Sequence, residues 1–192
     1  MATGIKLDGY RAGVESGKFP QPVNTGGDRP PGWFTDEQGK VYESEADRVG
    51  RMGIVVEVGC YMGRSMSWIA PICIANRAAL YAVDPWEHCP RCEFERYMEL
   101  YGWLDRIKII QADSVDAATR FFDKSVALCF IDARHDYDNV KADIGAWLPK
   151  IESGGTLMGH DYADANYGTR EAVDERFGSS VIIKANMWIV RI

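Results

Sequence analysis

Basic residues are the scarcer sign of charge in this chain: 22 Lys and Arg stand against 28 Asp and Glu, a net charge of −6 over 192 residues. A protein that coats nucleic acid or an anionic membrane needs a basic face, so neither is expected as a partner. No apolar run approaches the roughly 18 residues of a membrane span. The opening MATGIKLDGYRAG has no apolar stretch of the signal-peptide kind, and the chain reads as cytoplasmic. Cysteine is sparse and odd in number. The five (Cys60, Cys73, Cys89, Cys92 and Cys129) sit mostly in apolar runs, which fits reduced thiols and not a disulfide frame. Internal repeats and low-complexity segments are absent. What remains, 46% apolar and 26% charged residues, is ordinary for a globular chain, and the length suits one domain with its own core.

The first 34 residues are rich in Gly, Pro and polar side chains, as in FPQPVNTGGDRPPGW, and read as a loop or arm. A short helix is expected over 42–50, closing an N-terminal segment of residues 1–50; the main domain follows over 51–192. From there strand and helix patterns alternate. Strands are expected at 54–58, 80–83, 107–111, 127–131, 156–159, 181–184 and 188–191. Helices are expected at 65–76, 93–101, 115–122, 139–151 and 170–177, with Pro149 distorting the end of the fourth. Such alternation implies an α/β fold, a doubly wound and mostly parallel seven-stranded sheet with helices on both faces. Only Ala185-Asn186 separates the last two strands, too little for a crossover, so they should form an antiparallel hairpin at one edge.

Ligands of open α/β sheets bind outside the carboxyl ends of the strands. Those ends carry Glu57 to Gly63, then Asp84, Asp113, Asp132 and His160-Asp161. A single Asp in such a place is as often a helix cap, but a carboxylate after four strands in succession points to a shared rim. The turn EVGCYMGRS is not the dinucleotide fingerprint, because Cys60 follows Gly59 and only Gly63 recurs; without a Gly-Lys-Ser/Thr it is not a P-loop either. Its glycines still let backbone approach a ligand, and Ser65 opens a helix whose N–H groups suit a carboxylate or a phosphate. Asp84 is placed to accept from a ribose diol. The ligand so described has an anionic group, a ribose and a base.

VVEVGCYMGRS resembles motif I of the class I S-adenosylmethionine-dependent methyltransferases, especially catechol O-methyltransferase and the group called methyltransferase domain 24. YAVDPW, QADS, FIDARHDYDNVKADI and ESGGTLMGHDY match in order after the next four strands, so the resemblance covers roughly residues 50–192. It implies S-adenosylmethionine as cofactor. Glu57, Gly59 and Gly63 would line the methionine part, Ser65 would bond its carboxylate, and Tyr61 would pack beside it. Asp84 would take the ribose hydroxyls, Asp113 and Ser114 would flank the adenine, and Asp132 would border the cofactor.

Metal-binding oxygen methyltransferases carry an Asp after the fourth strand and two ligands after the fifth, positions held here by Asp132, His160 and Asp161. A divalent ion there, Mg2+ or Mn2+, would hold two acceptor oxygens and acidify one of them. His160 departs from the acidic or amide residue usual in that place, which favours Mn2+, Fe2+ or Zn2+ over Mg2+ or Ca2+ if it is a ligand. Alternatively His160 only orients Asp161. His135, three residues past Asp132, stands where those relatives place a basic residue, and an imidazole is suited to take a proton near neutral pH. The expected activity is O-methylation of a small hydroxylated acceptor, a sugar, polyol or phenol.

Two rivals stay open: a nucleotide- or sugar-binding module without catalysis, and transfer to a protein or nitrogen acceptor. An Asn-Pro-Pro-Tyr-like tetrapeptide, typical of nitrogen methylation, does not follow the fourth strand. EHCPRC, with His88, offers at most three ligands to a zinc that wants four. Trp33 and Phe34 are candidates for a lid, and an edge hairpin with an N-terminal arm is compatible with a homodimer.

Overall fold

Thr35 marks the start of the first regular element. In the computed structural model, which describes residues 29–192, its hydroxyl accepts from the Gln38 N–H (3.3 Å) while the Gln38 side chain accepts from the Thr35 N–H (2.8 Å). This reciprocal cap starts helix α1 at Asp36, ahead of the expected 42, and α1 runs Asp36–Asp47. The remaining elements follow in order: β1 Ile54–Val58, α2 Met66–Ala75, β2 Ala79–Val83, α3 Arg91–Leu100, β3 Ile107–Ile110, α4 Ser114–Ala118, β4 Val126–Ile131, α5 Tyr137–Trp147, β5 Ile151–Gly159, α6 Thr169–Phe177, β6 Ile182–Lys184 and β7 Met187–Arg191.

The strands form one sheet in the order β3-β2-β1-β4-β5-β7-β6. The first five are parallel, and β7 runs antiparallel to both β5 and β6. Both residues of the β6–β7 turn, Ala185 and Asn186, have positive φ (49° and 65°), the left-handed geometry that matches the twist of a tight hairpin. Side chains alternate between two cores. Val55, Leu80, Leu128, Phe130 and Met158 pack beneath α1, α2 and α3. Val56, Val58, Cys129, Ile131 and Leu157 pack against Val140, Ile144 and Trp147 of α5 and Val173 of α6. Strand order reverses between β1 and β4, so the crevice predicted for a ligand lies beyond their carboxyl ends.

Helix α1 belongs to this core. Tyr42 is fully buried and its ring stacks on Phe130 at 4.4 Å. Glu45, 2% exposed, pairs with Arg191 of β7 at 2.5 Å, and Arg191 also donates to Thr156 Oγ1 at 2.6 Å. These contacts cross the boundary expected at residue 50. Phe34, expected in a lid, is 4% exposed with its ring 5.7 Å from Phe130. A further tie comes from Pro71, inside α2, which has no N–H for the Ser67 carbonyl four residues back. Arg29 replaces that bond: its Nη1 donates to Ser67 O at 2.7 Å, and its guanidinium lies 3.6 Å from the centre of the Trp68 ring. Expectations from residue 29 onward can be compared with the structure; those for the preceding arm lie outside the described residues.

Two elements differ from the sequence pattern for local reasons. The helix after β3 is short, ending at Ala118, because Phe121 turns back onto Trp147 (5.2 Å) and Tyr81 (4.9 Å) and leaves Phe122 at the surface. Strand β5 begins at Ile151, where the Glu-Ser-Gly-Gly stretch crosses an irregularity in its pairing with β4. Among the described residues no helix is long and apolar enough to cross a membrane.

Candidate active site

The loop after β1 is shaped by glycine and by one carboxylate. Gly59 (φ 88°) lies so close to the next loop that a Cβ there would be 2.0 Å from the Asp132 carbonyl oxygen. Gly63 (φ 87°) packs on Met98 and Phe94 of α3. Asp84, just past β2, faces this loop: its Oδ2 accepts from the N–H groups of Cys60 (2.8 Å) and Tyr61 (2.9 Å), and its Oδ1 from Trp86 (2.5 Å). Burial raises the Asp84 carboxyl above its ordinary range, opposed by those N–H bonds. Tyr61 is itself left-handed (φ 46°), and its ring meets Trp33 at 5.3 Å. The indole of Trp86 donates to Tyr61 O at 3.0 Å.

Beneath the loop, Glu57 is fully buried. Ser65 Oγ donates to its Oε1 at 2.7 Å, so the hydroxyl expected to bond the cofactor's carboxylate is turned to Glu57 instead. Glu57 Oε2 and the Tyr42 hydroxyl are both buried without a hydrogen-bond partner. Burial, with the nearby charge of Asp132 adding to it, pushes the Glu57 carboxyl up to about 8, so the acid is protonated at neutral pH. Arg64, also buried, donates from Nε to Phe34 O (2.5 Å) and from Nη1 to Pro30 O (3.1 Å), binding the N-terminal stretch to the start of α2.

The other half of the site lies after β4 and β5. Asp132, His135 and Asp161 each offer a donor atom, and the three lie within 4.8 Å of one another. His135 Nδ1 is 3.5 Å from Asp161 Oδ2. His160 lies behind them, 8% exposed, with Nδ1 3.1 Å from Asp161 Oδ1 and 3.5 Å from Asp132 Oδ1. Burial alone would lower the His160 pKa; the two carboxylates outweigh it and push it up to about 10, so this imidazole is a cation. His135 completes a three-residue set with Asp132 and Asp161, while His160, expected as the third ligand, has Nδ1 against both acids from behind. Asp161 holds its side chain there from a left-handed backbone (φ 56°).

After β3, Asp113 is exposed at the start of α4, with no capping bond from its side chain. Ser114 Oγ accepts from the Trp147 indole at 3.0 Å, which ties it to the far-side core. All twelve residues singled out in the sequence thus lie at or just beyond the carboxyl ends of β1 to β5, on one rim.

The profile of a family described as Methyltransferase domain, methyltransferase domain 24, matches residues 56–162, more than half of the chain. The chain belongs to that family. This methyltransferase domain has the class I methyltransferase fold. It overlays on the O-methyltransferase NovP with a TM-score of 0.70, at 15% identity, over 81% of this chain and 79% of NovP. The O-methyltransferase from Bacillus cereus in complex with SAH gives 0.64, at 14% identity, over 97% and 90% of the two chains. CalS11, a TDP-rhamnose 3′-O-methyltransferase, gives 0.60, at 13% identity, over 83% and 82%. In sequence, it is 28% identical over 123 residues to the uncharacterized protein y4gI of Sinorhizobium fredii; the match takes in 59% of the chain and only 14% of that relative's length.

Three residues at the candidate site were not legible as such. Tyr42 enters from α1, seven residues past its cap, where the sequence pattern gave no link to β1. Arg64 sits inside the glycine motif, and its neighbours in sequence say nothing of the distant carbonyls it binds. Tyr167 reaches the rim from the loop after β5, its ring 4.6 Å from that of His135.

Proposed function

We propose that this protein transfers the methyl group of S-adenosylmethionine to a hydroxyl of a small molecule, with His135 as the general base. The observation that carries this is the placement of the His135 imidazole, Nδ1 toward Asp161 and beside Asp132, on the loop that touches Gly59. An acid at Nδ1 favours the tautomer with its proton there, leaving Nε2 to accept one from the acceptor.

The residues after β1 fit the cofactor. A glycine cradle admits it, Asp84 Oδ1 retains a lone pair for a ribose hydroxyl, and an ammonium group beside the buried Glu57 Oε2 would favour the ionised form of that acid. When bound, the cofactor supplies an electrophilic methyl group on a sulfonium. His135 takes the hydroxyl proton as the acceptor oxygen bonds to that methyl carbon; the carbon–sulfur bond breaks and its electron pair stays on sulfur. Tyr61 and Trp33 would cover the cofactor's outer edge, and Asp113 with the backbone of Ser114 would border the adenine. The O-methyltransferase names of NovP, CalS11 and the Bacillus cereus protein favour an oxygen acceptor.

Asp132, Asp161 and His135 form a mixed carboxylate and imidazole set that would suit Mn2+ better than Mg2+; on that route His135 would be a ligand and the ion, in place of a free imidazole, would acidify the acceptor oxygen. On a metal-free route the two carboxylates would be shared by the His160 imidazole, whose Nδ1 lies 3.1 Å from Asp161 Oδ1 and 3.5 Å from Asp132 Oδ1. The test is direct. Purified protein is given S-adenosylmethionine with 3,4-dihydroxybenzoate or TDP-rhamnose, and S-adenosylhomocysteine is measured, with EDTA and then with excess Mn2+. Turnover lost to EDTA and restored by Mn2+ selects the metal-assisted route; turnover indifferent to both selects the metal-free one. His135→Ala should bind S-adenosylhomocysteine as the parent does in calorimetry yet lose roughly 100-fold or more in rate. A variant with the full rate would remove His135 from its role.

A further inference from the structure

His135 is held by surprisingly little through its own side chain. Among the described residues its one polar side-chain contact, to Asp161 Oδ2, is 3.5 Å long, beyond the range of a strong charge-assisted bond, and such a contact leaves the ring free to tilt. The face of the imidazole meets Tyr167 instead, centroid to centroid 4.6 Å with the planes 31° apart.

Tyr167 belongs to neither core and is half-buried, yet its backbone is fixed on every side. Its N–H donates to Asp164 O (3.2 Å), and the preceding Asn166 N–H donates to Asp164 Oδ1 (2.9 Å). The following Gly168 N–H donates to the carbonyl of His135 itself at 2.9 Å, and Thr169 Oγ1 approaches the same oxygen at 3.4 Å. Gly168 permits this close crossing, since a Cβ would fall 2.3 Å from the Tyr137 nitrogen. At the other end of the loop, Tyr162 N–H donates to Asn186 O (3.1 Å) and Ala163 N–H to Asn186 Oδ1 (2.5 Å), anchoring it on the β6–β7 turn. A surface tyrosine secured by so many bonds, to the very residue whose ring it covers, has a job beyond filling space.

We infer that Tyr167 is a positioning residue that fixes the plane of the His135 imidazole so that Nε2 faces the acceptor. This rests on the proposed role of His135. The aromatic face does the work, and the hydroxyl is dispensable. Misaligned bases lose much of their advantage without any loss of cofactor binding.

Three histidines in the whole chain make the contact easy to see by NMR. In the free protein with isotope-labelled histidine, the His135 ring signals, assigned through His135→Ala, should move in Tyr167→Leu and stay in place in Tyr167→Phe. With S-adenosylmethionine and whichever of 3,4-dihydroxybenzoate and TDP-rhamnose is turned over, Tyr167→Leu should lower kcat by roughly ten- to a hundredfold. KM for the cofactor should be unchanged, and Tyr167→Phe should restore the rate. His135 signals that stay put in Tyr167→Leu overturn the inference, as does a full kcat in that variant. If the parent protein turned over no acceptor, the methyl-transfer reading would suffer, while NOEs from the His135 ring protons to Asp161 and Tyr137, changed in Tyr167→Leu and kept in Tyr167→Phe, would still decide whether Tyr167 holds the ring.

Discussion

Glu57 brings an acid into the interior under the glycine loop after β1, and the cost appears in its dependence on pH. In an unfolded chain a glutamate ionises near its ordinary 4.5; in the fold this one keeps its proton up to about 8. Between those values folding takes up a proton, so stability falls as pH rises and the penalty is complete above about 8. Glu57→Gln has no proton to lose. It should unfold in urea much like the parent at pH 5 and be more stable at pH 8.5, by on the order of a few kcal/mol at most. A difference that did not grow with pH would mean the carboxyl is charged in the fold. His160 acts in the same direction in a later window: its stabilisation is full below about 6.5 and is lost as pH rises through about 10. A buried acid such as Glu57 is what a functional site holds in place at the expense of stability.

At the scale of elements, α1 and α2 meet through a glycine. Gly39 lies where a Cβ would be 2.0 Å from the Trp68 ring, and both residues are buried. Alanine is favoured over glycine in a helix by about 1 kcal/mol, but overpacking of this sort costs about 1–3 kcal/mol or more. The clash should win. Gly39→Ala is expected to lower the urea midpoint, and a raised midpoint would show that the two helices separate freely. The sequence announced most of the elements: β-branched runs between turn residues placed β1 to β4 within a residue or two, and the short Ala-Asn link gave the hairpin. It was less informative where geometry depends on distant contacts. The start of β5 reads as turn because Glu-Ser-Gly-Gly has no apolar alternation; in the fold Ile151 pairs with β4 and pairing resumes at Thr156, with Gly154 left-handed (φ 83°) between them. Likewise, carboxylates after strands could be read off, but the approach of His135 to Asp161 depends on a left-handed aspartate that no local pattern specifies.

For the molecule as a whole, residues 29–50 are part of the packed structure. Phe34 and Tyr42 cover Phe130, Glu45 meets Arg191 on the seventh strand, and Arg64 gathers Pro30 and Phe34 to the glycine loop. A chain beginning at residue 51 would expose Phe130 and Trp68 and leave Arg64 without those carbonyls. Buried groups stripped of partners cost about 1–3 kcal/mol each, and a large aromatic left uncovered costs a similar amount. The shortened chain should therefore lose its cooperative unfolding transition by circular dichroism, whereas one beginning at residue 29 should keep it. A sharp transition for the former would mark residues 51–192 as self-sufficient.

Gly59 has one last consequence. Because its α-carbon bears no substituent, the first loop rests directly on the peptide of Asp132, and the two pieces of chain that would carry donor and acceptor share a hard stop. The span a methyl group must cross is then gauged by backbone against backbone, and it stays constant however the side chains above rearrange.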